Sequence, residues 1–173
     1  MSTAVSTTTG ALRRLYLARC GFALIWAVAL FATGADLNPV SVTLLVLYPL
    51  FDVAAAVVDL RSSGRNPGLY VNIAISALAG VGVAVATGSG IPAVLRVWGA
   101  WAIVSGLVQL AVGVGRRRLG GQWAMILSGG LSVLAGASFV ATAGSEATLA
   151  NLAGYATLGG IFFLISAVRL PRA

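Results

Sequence analysis

Between Trp98 and Gly136, two long apolar runs flank a turn built on Arg116, Arg117 and Arg118. A soluble helical hairpin is polar on one face, whereas these flanks are apolar all round, and three adjacent arginines have no place in hydrocarbon. The stretch therefore predicts two membrane-spanning helices joined on the cytoplasmic side. The rest of the chain follows the same pattern. Apolar runs of about twenty residues, the length that crosses ~30 Å of hydrocarbon, fall at 15–34, 39–60, 69–88, 92–114, 121–143 and 148–168. Charged residues make up only 9% of the chain, against roughly 25% in soluble domains. A soluble fold would lack the polar surface to cover itself.

The connections alternate in charge. Those around 34–39, 88–92 and 144–147 contain no arginine and hold Asp36 and Glu146. The others hold Arg61 with Arg65, then Arg116, Arg117 and Arg118, while Arg13, Arg14 and Arg19 precede the uninterrupted apolar stretch Cys20–Gly34 of the first run and Arg169 and Arg172 follow the last. All eleven basic residues are arginine, and only Arg96 breaks the pattern. This is the positive-inside bias. It predicts an all-α membrane protein of six spans with both termini cytoplasmic. It also accounts for the net charge of +7 without nucleic acid, because the arginines form no stripe with interleaved aromatics. Residues 1–11 are small, polar and uncharged and predict a disordered tail, leaving 12–173 as one transmembrane domain. The basic start and apolar run resemble a signal peptide, but an uncleaved first span fits the charges of the later connections.

An internal repeat runs through the spans. Ser76-Ala-Leu-Ala-Gly80 recurs as Ser132-Val-Leu-Ala-Gly136, and Tyr48, Trp101 and Tyr155 fall at matching places in the even-numbered spans. The period is about 54 residues, one hairpin per unit, giving three parallel hairpin repeats. Ser76, Gly80, Ala84 and Gly88 share one helical face, as do Ser128, Ser132 and Gly136. Such small faces allow close helix approach, within the chain or in a homo-oligomer. Trp123 is placed at the interface beside the arginine turn and Trp101 near mid-span.

Few residues can carry chemistry. Asp52 lies near the middle of the second span, where an aspartate costs roughly 2.5–3.5 kcal/mol to insert. Hydrocarbon favours its neutral form. It reads either as a proton-responsive group or as an acid hydrogen-bonded to Asn72, Ser76 or Ser105. Pro49 precedes it and frees a backbone carbonyl. Asp59, near the cytoplasmic boundary, is expected to pair with Arg61, Arg65 or Arg116. Arg96 can snorkel outward to Asp36 or Glu146, or reach inward to Asp52. Interhelical hydrogen bonds suffice for Gln109, Gln122 and Asn151. Cys20 is the lone cysteine and histidine is absent, so no metal site, cofactor or catalytic constellation is expected.

Residues 96–140 carry a resemblance. Ser105-Gly106, Gln109-Leu110, the arginine turn, Gly121-Gln122-Trp123 and Ser128-Gly129-Gly130 resemble the pattern of the HdeD-like family of small membrane proteins, and 48–65 is similar to its actinobacterial branch. The resemblance implies a six-helix inner-membrane protein acting in acid or envelope stress, with no enzymatic activity. The alternatives left open by the residues themselves are a small proton- or solute-translocating transporter or channel using Asp52, and a membrane scaffold for a partner protein.

Overall fold

A computed structural model describes residues 2–145 and 147–170, so Glu146 and Arg172 lie outside the described residues. The chain is all-helical: α1 (Ser2–Thr33), α2 (Pro39–Ser63), α3 (Pro67–Ala86), α4 (Ile91–Gly115), α5 (Trp123–Thr142) and α6 (Ala150–Arg169), with single 3₁₀ turns after α3 and α4. All six contain a stretch long and apolar enough to cross a membrane, so the protein is a multi-pass membrane protein.

Local chemistry sets the boundaries. The side chain of Asn38 accepts hydrogen bonds from the Val40 and Ser41 amides, and Ser41 Oγ accepts in return from the Asn38 amide at 2.9 Å. This capping box, followed by Pro39 in the first helical turn, starts α2. Asn66 and Pro67 start α3 in a similar way, with Asn66 accepting from the Gly68 amide. Gly64 ends α2 at φ +80°, a backbone conformation few side chains tolerate. α2 remains helical across Pro49. The Trp26 indole N–H donates to Leu44 O at 2.6 Å, next to the carbonyl that the proline leaves without its helical donor.

The N-terminal stretch differs from the expected tail. α1 begins at Ser2, and its spanning part begins at Thr9. Leu12 is fully buried in a cluster with Tyr16, Cys20, Met125 and Phe163. Once that turn is packed, the helix extends N-terminally at one hydrogen bond per residue, with no proline to stop it.

The helices pack as a ring in sequence order, each against its chain neighbours, with α6 closing on α1. Arg13 locks the closure by donating to Ala167 O and Leu170 O, both at 3.0 Å. The tightest seam is α4 on α5. A Cβ on Gly99 would lie 2.6 Å from Gly136 O, and one on Gly106 2.7 Å from Gly129 O, so the backbones touch where no side chain fits. The small face of α5 is thus occupied within the chain by α4, whereas Ala84 on α3 and Gly88 in the 3₁₀ turn after it remain exposed.

Candidate functional site

Successive helices run in opposite directions, so one end of the ring collects Arg13, Arg14, Arg61, Arg65, Arg116, Arg117, Arg118 and Arg169. Arg14, Arg61, Arg65 and Arg118 are exposed there, Arg117 donates to Val114 O, and Arg169 lies over the half-exposed ring of Trp123 at 5.1 Å. Arg116 turns inward instead. It holds Asp59 with two bonds of 2.7 and 2.9 Å, resolving the choice among three arginines for that acid. Ser63 adds a third donor to Asp59, and the Tyr16 hydroxyl lies against the Arg116 guanidinium. Burial opposes the Arg116 charge, but the bonds to Asp59 outweigh it and raise its pKa above the usual arginine value, so it stays charged. Tyr16 also donates to Gln122 Oε1 at 3.2 Å.

Above this layer lies a cavity of about 90 Å³ on the ring axis, walled by all six helices. Asp52 projects into it from α2. Its carboxylate accepts from Asn72 Nδ2 at 2.6 Å and from Ser76 Oγ at 2.8 Å, two of the three partners expected from the sequence. Ser105, the third, lines the cavity without bonding Asp52. A further partner comes from a residue that the sequence alone groups with the flanking arginines. Arg19 of α1 donates to Asp52 Oδ1 as an ion pair, both side chains largely buried. Because α1 starts before Thr9, Arg19 falls inside the span rather than ahead of it, and its guanidinium also sits over the Phe163 ring at 4.7 Å.

The cavity ends in an aromatic layer. Tyr48 and Trp101 form its wall, with Trp26 and Trp98 packed behind them at ring separations of 4.6 to 6.0 Å. Trp101 Nε1 donates to Ser76 Oγ at 3.0 Å, which ties the layer to Asp52 through one hydroxyl. On the opposite wall, Tyr155 donates to Ser132 Oγ at 3.1 Å.

Arg96 is not part of this group. It is exposed on α4, beside Gly144 at the start of the connection that contains Glu146. Gln109 donates to Met125 O and lines the cavity, whereas Asn151 is exposed on α6. Two charges are therefore paired in the cavity, and two more close its arginine end. Such a site can hold a small polar molecule by hydrogen bonds and exchange its charge partners. Comparison with protein-family models, curated proteins and solved structures finds no match for this chain.

Proposed function

We propose that the protein is a small membrane transporter or channel whose axial cavity takes a small polar solute, with Arg19 and Asp52 as the charged element the solute or a proton engages. The observation that carries this reading is a buried ion pair facing a cavity instead of being packed in protein. Ionisable groups inside a span are costly and mark pathways and relays, and a polar cavity at helix junctions is the usual place for a ligand. The occupant is small and carries no net charge, because the two arginines of the cavity are matched by two aspartates. Reconstituted in liposomes, the protein should conduct protons or small polar solutes, and Asp52→Asn should reduce the flux. Flux no greater than that of empty vesicles would sink the reading.

The cavity also supports the threefold repeat. Tyr16, Leu69 and Gln122 line it from the odd-numbered side of each hairpin, as do Arg19, Asn72 and Met125. From the even helices come Tyr48, Trp101 and Tyr155, and then Asp52, Ser105 and Gly159. Each trio recurs every 53 or 54 residues. Three hairpins around one axis, diverged in chemistry at equivalent places, account for this register.

We place both termini on the cytoplasmic side of a bacterial plasma membrane, following the arginine-rich end. Labels at Asp36 and Arg117 should then report opposite sides, and the same side for both would overturn this. The HdeD-like resemblance, with its acid- or envelope-stress role, enters through the same pair: protonating Asp52 would leave Arg19 without its counter-charge in the cavity. An Asp52→Asn strain that keeps full acid protection would count against it. A scaffold or homo-oligomer role draws on small-residue faces, and the face on α5 is already occupied by α4.

A further inference from the structure

The cavity is not the only opening near Ser132. α5 and α6 pack least closely of the sequential pairs, and between them lies a groove of about 450 Å³, within the range of ordinary ligand sites. Its lipid-facing walls are mainly apolar: Leu131 and Leu158 are exposed, with Ala135 and Phe162 beside them, while the exposed Ser138 and Asn151 line its end away from the arginines. Its inner wall is polar. Ser128, Ser132, Tyr155 and Gly159 line both the groove and the axial cavity, so the two spaces share one wall. The groove runs from Ser128 to Phe139 along α5 and from Ala150 to Phe162 along α6, from mid-span toward the end of the ring away from the arginines, and it meets the cavity at mid-span.

We propose that this groove is a lateral entrance for a single-chain amphiphile whose small head group hydrogen-bonds but carries no net charge, a long-chain alcohol or monoacylglycerol in type. The inference rests on the reading of the cavity as a binding site and names what enters it. Three features fix the occupant. The groove is open to the bilayer, so its solvent is hydrocarbon and its apolar walls suit an acyl chain. Polarity rises inward to the Tyr155–Ser132 bond, whose groups can exchange partners with a hydroxyl or an ester. The cations beyond are matched by Asp52 and Asp59, so a charged head group would enter an already balanced cavity and stand uncompensated. An acyl chain in the groove thus places its head at the shared wall, beside the ion pair.

The test uses the full chain in nanodiscs with a monoacylglycerol carrying a photoreactive diazirine on its acyl chain, the labelled residues being mapped by mass spectrometry. Label should concentrate on Leu131, Ala135, Leu158 and Phe162. Gly154→Phe fills the groove from a position where a Cβ meets nothing within 4 Å, and it should cut groove labelling about tenfold or more. Gly21→Leu, at an equally open exposed site on α1, should leave the labelling unchanged. Unlabelled monoacylglycerol should displace the probe, and hexadecane should not. Label spread evenly over the lipid-facing leucines of all six helices, groove label undiminished in Gly154→Phe, or equal displacement by hexadecane would each overturn the proposal. Labelling is read without any flux. Groove label in a protein with no Asp52-dependent flux supports the entrance and counts against transport alone, whereas flux without groove label overturns the entrance alone.

Discussion

Cut across its middle, the ring divides into two halves made of the same helices. Toward the arginine end, the axis holds Asp52, Arg19, Asp59, Arg116 and Gln122 around open space. Toward the other end, it is filled by the packed cluster of Trp26, Leu30, Leu45, Val83, Trp98 and Leu152. Inside hydrocarbon, helix association gains little from burying apolar surface, because lipid is as apolar as leucine. The filled half is therefore held by close contact and dispersion, and the open half by charge pairs and hydrogen bonds. Contact tolerates small losses gradually, whereas a charge pair fails when either member is lost. On the proposed transport reading, the filled half serves as the seal and the open half as the part that changes state.

That contrast can be broken or sharpened by mutation. The largest effect is expected for Arg19→Met, which leaves Asp52 buried without its counter-charge and should cost about 3–5 kcal/mol. Adding Asp52→Leu should restore most of it, as measured by denaturant unfolding in detergent. A double variant as unstable as the single would mean that the pair is not what holds α1 to α2. Trp98→Ala, in the filled half, should cost about 3 kcal/mol, the lower end for a buried tryptophan because the unfolded chain stays in hydrocarbon. No second substitution at a charged site should rescue it. At the α4–α5 seam, Gly106→Val forces a side chain against Gly129 O and should cost about 1–3 kcal/mol, read as a lower melting temperature. Tyr155→Phe removes one interhelical hydrogen bond and should change stability by only about 0.6 kcal/mol. The same variant should still alter ligand or solute selectivity in a binding or flux assay. A large loss of stability with unchanged selectivity would place Tyr155 in the seal instead.

The sequence showed the six spans because their boundaries depend on local signals: proline after a capping residue, glycine at positive φ, and arginine at one end. It showed the surroundings of Asp52 in part, since Asn72 and Ser76 are among the few polar groups near mid-membrane. It did not show Arg19. A third arginine after Arg13 and Arg14 looks like part of a flanking cluster, and only the packed turns of α1 from Leu12 to Cys20 put it inside the bundle. Those turns are held by packing against α6, a contact between the two ends of the chain that no local pattern encodes. The inward turn of Arg116 was hidden for the same reason, since its partner Asp59 is fifty-seven residues away. Tyr48, Trp101 and Tyr155 were aligned by the repeat, but their convergence on one cavity depends on the ring order of the helices.

The pairing of Arg19 with Asp52 also bears on how the chain is made. Each charge alone would tax the insertion of its helix by roughly 2.5–3.5 kcal/mol, and α1 leaves the ribosome before α2, with an arginine inside it. The first hairpin therefore has reason to enter the bilayer as one object, with α1 waiting at the protein-lined side of the insertion machinery until α2 brings the aspartate. A chain shortened after α1 should integrate poorly, whereas one ending after α2 should integrate well. The residues that shape the cavity of the finished protein would then already have set the timing of its birth.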